Sequence, residues 1–234
     1  MTQATILALD TSTEACSAAL LHQQRISWRY EVAPQAHTRL ILPMCEQLLE
    51  SADVTLSQLD AIAFGRGPGS FTGVRIGIGI AQGLAHGAGV PLIPVSNLLA
   101  LAEGTRRRHQ AECVFTAIDA RMGEVYFAAW RWTADGWQVS VEEGVMAPEQ
   151  AATVIQAQLS VAQTQTWFCS GTGFAAYPAL QQVSEALSQD SEQLPRAEDL
   201  LTLARQSSER LAPELATPVY LRDKVAWKKL PGRE

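Results

Sequence analysis

The chain has little of what marks several common protein classes. Its four cysteines, Cys16, Cys45, Cys113 and Cys169, are far apart, with no C-x-x-C pair and no histidine cluster nearby. That pattern argues against a zinc site and makes buried, reduced thiols the expectation. The four histidines, His22, His37, His86 and His109, show neither H-x-x-x-H nor H-E-x-x-H spacing, so no metal is expected. No segment reaches the roughly 18 uninterrupted apolar residues of a membrane helix. The stretch from Met1 to Asp10 lacks the basic start and long apolar run of a secretory signal. A cytoplasmic protein with no membrane partner is therefore expected. Positive charge is also short: the net charge is −6 and the pI about 5.3, which argues against stand-alone nucleic-acid binding through a basic surface. What remains is a chain of 234 residues, 47% hydrophobic and 18% charged. That is enough for one large domain or two small ones with real cores.

Glycine is present, and most of it in one place. Nine of the 16 glycines fall between Gly65 and Gly89. Residues 59–64 read as a short buried strand. Residues 65–69 read as a loop whose only side-chain bulk is Arg66 and Pro68, and Ser70 as the N-cap of a helix starting at Phe71. Free N–H groups at such a start suit an anion or a close backbone partner. Residues 74–80 also alternate like a strand, but that reading leaves Ser70 and residues 81–85 without a role, so a helix over 71–87 is expected. Each interior glycine costs it about 1 kcal/mol against alanine. The small residues form two rows, Gly73, Gly77 and Ala81, and Gly79, Gly83 and Gly87. Spacing allows internal helix packing or a surface for another subunit, and favours packing. No lysine follows the glycines as in a Walker A loop, and the third glycine of a dinucleotide fingerprint is missing.

In order, the chain opens with the apolar run Thr5-Ile6-Leu7-Ala8-Leu9, which ends in Asp10 and a polar turn, Thr11-Ser12-Thr13. Strands are expected at 16–21 and 26–32. A helix follows at 38–50, with Leu40, Ile41, Met44, Cys45, Leu48 and Leu49 as its apolar stripe and Pro43 near its first turns. After the glycine helix come a strand at 90–95 and a helix capped by Ser96. That helix ends in Arg106-Arg107-Arg108-His109, read as a solvated C-terminus favoured by the dipole. The pattern then restarts. Residues 113–119 end in Asp119 as the opening run ends in Asp10. Strands at 125–130 and 137–141, a helix at 148–159 and a strand at 166–169 follow, with a last helix from about 197 to 211. Two copies of one unit predict a duplicated α/β architecture. The first lobe is expected over 1–108 and the second over 109–215. A basic tail over 216–234 carries Arg222, Lys224, Lys228, Lys229 and Arg233, either solvated or reaching a partner or RNA.

A duplicated meander with an aspartate followed by hydroxyl residues resembles the actin/Hsp70/sugar-kinase (ASKHA, ribonuclease H-like) superfamily. There, each copy's first turn holds a nucleotide phosphate between two lobes. The resemblance implies mixed five-stranded sheets, with Asp10, Thr11, Ser12 and Thr13 as a vestigial phosphate loop. The second copy, Asp119-Ala120-Arg121-Met122-Gly123, has no hydroxyls at the turn and is partly degenerate. At residue level, four segments look like the bacterial TsaB (YeaZ) family: residues 9–17, the glycine stretch 67–77, residues 119–126 and Pro218-Val219-Tyr220-Leu221-Arg222. The likeness covers nearly the whole chain. It implies a non-catalytic scaffold or activator that works with TsaD and TsaE. Together they transfer threonylcarbamoyl from threonylcarbamoyl-AMP, made by a TsaC-type synthase, to N6 of adenosine 37 (t6A37) in tRNAs reading ANN codons. The catalytic paralogue TsaD carries a metal-binding H-x-x-x-H pair after a matching strand. Laid on this chain, those positions are Asn97 and Leu101, which do not make a metal site.

In that family the first-lobe helices form the interface with TsaD, and a homodimer when TsaD is absent. The resemblance thus implies a partner surface built from Leu40, Met44, Phe71, Gly73, Val74, Gly77 and Ile78. It implies tRNA contact only through the complex, no cofactor bound tightly by the isolated chain, and ATP or ADP only at a joint surface. Two enzyme readings compete. An M22-type glycoprotease-like peptidase acting on TsaD needs a nucleophile with an orienting base. No histidine lies near Ser70 or Thr72 in sequence, and helix capping is the simpler role for Ser70. A stand-alone ASKHA ATPase needs two phosphate loops and an acidic metal ligand, and the second loop is degraded.

Overall fold

The computed structural model describes residues 4–161 and 165–222. The first sheet is built from a meander, β1 (Ile6–Asp10), β2 (Ala15–His22) and β3 (Arg25–Val32). After helix α1 (His37–Ser51) come β4 (Ala61–Gly65), α2 (Phe71–Ala88) and β5 (Leu92–Val95). Helix α3 (Asn97–His109) leads to the second sheet. That sheet comprises β6 (Cys113–Arg121), β7 (Glu124–Thr133), β8 (Gly136–Met146), β9 (Trp167–Ser170) and β10 (Ser188–Asp190). Between its strands lie α4 (Pro148–Val161), α5 (Gly173–Ala176) and α6 (Pro178–Ser184), and α7 (Ala197–Ala204) follows. The strand orders are β3-β2-β1-β4-β5 and β10-β9-β6-β7-β8. In each sheet the first strand of the copy is antiparallel to the second and parallel to the fourth. The two copies thus share one topology, and the fold is a duplicated α/β fold with two mixed five-stranded sheets.

Side-chain size decides what packs on each face of the first sheet. The large residues Leu7, Leu9, Leu20, Ile62 and Phe64 point toward α1 and α2 and form the main core with Ile41, Leu48, Val74 and Ile78. The other face carries Ala8, Ala19, Ala61 and Ala63 among Ile6, Leu21, Ile93 and Val95, and the alanines leave room for α7 to pack through Ala197, Leu200, Leu201 and Ala204. The lobe boundaries read from sequence are corrected here. Helix α7, assigned to the second lobe, completes the first sheet's core. Helix α3, assigned to the first, packs Leu98, Leu101 and Ala102 against Val114, Ile118 and Ala128 of the second sheet. The two lobes therefore exchange helices.

The last helix stops at Ala204 rather than near 211, because Leu211 pairs with Leu92 as an isolated antiparallel bridge. The run Arg106–His109 is solvated only in part, and each side chain has a partner. Arg107 reaches Asp199 at 3.0 Å and Glu198 at 2.5 Å, and Arg108 reaches Asp199 at 3.4 Å. Arg106 lies 3.8 Å over the Trp132 ring, and His109 stacks on Phe168. The four cysteines are free and buried. Burial pushes the Cys16, Cys45 and Cys169 thiols up to about 12, so they stay protonated and inert.

Candidate functional site

A cleft of about 860 Å³ lies between the lobes. One wall is the start of α2, with Ser70, Phe71 and Arg75. The other is the β6–β7 corner, with Ile118, Asp119 and Tyr126. The turn after β1 sits at its base, with Ser12 and Thr13 on the cleft lining. Asp10, Thr11, Ser12 and Thr13 are all buried there, and their polar groups already have partners within the chain. The Thr11 hydroxyl donates to the Gly73 carbonyl at 2.7 Å. The Ser12 carbonyl accepts from the Ser70 N–H at 2.7 Å. The Ser12 N–H and hydroxyl donate to Asp10 Oδ2 at 3.2 and 3.0 Å.

Asn97 locks this group. Its Nδ2 donates to Asp10 Oδ1 at 2.6 Å and to Ser12 Oγ at 2.8 Å, while its Oδ1 accepts from the Gly67 N–H at 2.8 Å. Burial raises the Asp10 carboxyl to about 6, against the pull of the Asn97 and Ser12 hydrogen bonds. Leu101 lies in the α3 core. Among the described residues no three His, Cys, Asp or Glu side chains form a group that could hold a metal ion.

The glycines make this closure possible. A Cβ on Gly65 would collide with Asp10, on Gly69 with Ser12, and on Gly73 with the Thr11 carbonyl; on Gly77 it would lie 2.7 Å from Thr11 Oγ1. Only glycine lets the loop and α2 approach the turn this closely. Ser70 caps α2 by accepting from the Gly73 N–H at 3.3 Å. The second row is different: nothing lies within 4 Å of a Cβ placed on Gly79, Gly83 or Gly87.

That contrast corrects most of the partner surface read from sequence. Met44, Gly73, Val74, Gly77 and Ile78 are interior, packed on the first sheet or its turn. Leu40 is half-buried, and Phe71 is 71% exposed. The outward surface instead carries the open row of Gly79, Gly83 and Gly87, with exposed Leu42 on the adjacent helix α1.

The segment after α7 is the feature sequence reasoning missed. Residues 211–222 cross the molecule as a strap rather than leaving as a tail. Gln82 Nε2 donates to the Pro213 and Ala216 carbonyls, and the Val219 N–H to the Arg66 carbonyl at 2.9 Å. The Arg75 guanidinium lies 3.3 Å over the Phe71 ring and also bonds the Tyr220 hydroxyl. Arg222 pairs with Glu124 at 2.5 Å and donates to the Ala120 carbonyl at 3.2 Å. The strap thus joins the glycine loop of one lobe to the corner of the other. Lys224, Lys228, Lys229 and Arg233 lie outside the described residues.

Comparison with known proteins places this geometry among relatives. The family model for TsaD, tRNA N6-adenosine threonylcarbamoyltransferase, matches residues 24–230. The tRNA threonylcarbamoyladenosine biosynthesis protein TsaB of Escherichia coli K12 is 48% identical, over 98% of this chain and 99% of that protein. The protein of the same name from Haemophilus influenzae is 47% identical over the full length of both. The crystal structure of YeaZ from Pseudomonas aeruginosa superposes with a TM-score of 0.85 at 45% identity, covering 94% of this chain and 100% of that one. Among the described residues no helix is long and apolar enough to cross a membrane.

Proposed function

The chain belongs to the TsaB family of tRNA threonylcarbamoyladenosine biosynthesis proteins, and on that premise we propose that it serves t6A synthesis as a non-catalytic subunit that binds TsaD through the outward faces of α1 and α2. The observation that carries this reading is the division of labour between the two glycine rows. One row closes the chain's own phosphate turn, which removes the groups a nucleotide enzyme would use. The other leaves a smooth stripe on the helix surface, where a second backbone can approach without obstruction. TsaE and tRNA would join through the TsaD complex, and any ATP or ADP would sit at a surface shared with a partner.

Replacing Gly83 by Leu tests the surface. The side chain enters open space and a glycine leaves a helix interior, so the fold should hold or gain up to about 1 kcal/mol. Binding to TsaD, measured by calorimetry, should weaken at least tenfold. Unchanged affinity in a folded Gly83→Leu chain would place the interface elsewhere.

A further inference from the structure

Strand β3 is the edge of the first sheet, and its protection is charge alone, at Arg25, Arg29 and Glu31. Seven of its eight residues are exposed and Tyr30 is half-buried. The strand holds no proline or lysine, and its register with β2 runs without a bulge. Natural edges often add one of these devices to their charges. The β2–β3 loop is Gln23-Gln24, with φ of 49° and 64°, the conformation of a two-residue type I′ hairpin. The residues flanking such a loop, here His22 and Arg25, are a hydrogen-bonded pair. Arg25, Ser27, Arg29 and Glu31 therefore direct their backbone groups at β2, and Ile26, Trp28, Tyr30 and Val32 direct theirs away from the sheet. The side chains of this second set share one face of the sheet with Ala19 and Leu21. Ile26, Trp28 and Val32 are 37%, 46% and 56% exposed, and Arg196 lies 4.2 Å over Tyr30.

We propose that β3 pairs antiparallel with β3 of a second copy of this chain, centred on Trp28, so that two five-stranded sheets become one. The register is argued from charge. With Trp28 opposite itself, Arg25 of each copy faces Glu31 of the other, and Ile26 faces Tyr30. A shift that puts Arg29 opposite itself sets two like charges together, which is unfavourable; one that puts Tyr30 opposite itself pairs Arg29 with Glu31 but leaves Arg25, Ile26 and Ser27 without a partner residue. Arg25 and Glu31 make no ion pair within the described residues, so both are available. The outward backbone groups of both strands then meet in the same pairs, and the two exposed apolar stripes pack side by side on one face of the joined sheet. This contact uses neither α1 nor α2 and is independent of the TsaD surface proposed above.

The test is charge reversal followed by sedimentation velocity over a concentration series. All chains carry Gly83→Leu, which removes association through the helix face. Arg25→Glu alone and Glu31→Arg alone each turn two attractive pairs into repulsive ones and should each weaken dimerisation about tenfold. An equimolar mixture of the two single variants restores both pairs, as does the double variant, and both should dimerise like the parent. Circular dichroism of each variant checks folding. The proposal is overturned if the parent stays monomeric, if either single reversal dimerises like the parent, or if the mixture fails to recover. A parent that stays monomeric while β3 takes up an extended segment of another protein counts with the first of these.

Discussion

Asp10 ends the first strand in a polar turn, yet it is fully enclosed and held by Asn97 and Ser12. Asp10→Asn should cost roughly 1–3 kcal/mol, because its amide must face an N–H donor from Ser12 or Asn97. The sign of the pH effect follows from burial. The folded chain holds the Asp10 proton to about 6, whereas an unperturbed aspartate releases it near 3.8. Asp10 therefore favours the fold most at low pH, and this contribution falls as pH rises from about 4 to about 6. The gap in melting temperature between wild type and Asp10→Asn should be widest near the bottom of that window and narrow toward neutrality. A gap that widens with pH would contradict the account. Gly77 supplies the contrast to Gly83. A leucine at 77 meets Thr11 and Leu9, so Gly77→Leu should destabilise by about 1–3 kcal/mol, read as a lower urea midpoint, whereas Gly83→Leu should not. The two rows were legible as rows, but spacing could not say which faced inward. That depends on Asp10, Thr11 and Ser12, distant in sequence and close in space.

Most elements could be read from the chain because their signals are local. Ser70 and Ser96 cap α2 and α3 as their positions suggest, and Gly89 ends α2 with a left-handed φ of 70°. The apolar stripe of α1 faces the core at Ile41, Met44, Cys45, Leu48 and Leu49. What sequence did not disclose was partnership across distance. Helices α3 and α7 serve each other's lobes, and the ion-pair partner of the half-exposed Arg107, Asp199, lies 92 residues away. The Asp199 side chain is wholly buried, so Arg107→Ala leaves a buried carboxylate with Arg108 alone beside it. That change should cost about 3 kcal/mol, measured by urea unfolding, far more than an exposed pair would. A loss below about 1 kcal/mol would mean the pair behaves as a surface contact. The strap escaped notice for the same reason: its contacts to Arg66, Arg75 and Glu124 are long-range, and its composition resembles an ordinary tail.

The whole molecule is a duplicated fold whose copies have diverged. The first copy keeps a hydroxyl-rich turn and closes it with its own glycine helix. The second keeps Asp119, which accepts from the Tyr177 hydroxyl at 2.8 Å and pairs with Arg121 at 3.0 Å. With both turns engaged internally, the isolated chain should show no tight binding of ATP-Mg by calorimetry; saturable tight binding would reopen the ATPase reading. The duplication was visible because each copy repeats the same strand and helix periods, whereas the closure depends on side-chain geometry that no period encodes. The most direct measurement is t6A formation on tRNA by a TsaC-type synthase, TsaD and TsaE, titrated with this chain. The account predicts negligible product without it, a yield that rises to a plateau as TsaD is saturated, and a rise shifted at least tenfold to higher concentration with Gly83→Leu. Full yield without the chain, or t6A made by the chain and synthase with TsaD left out, would contradict it.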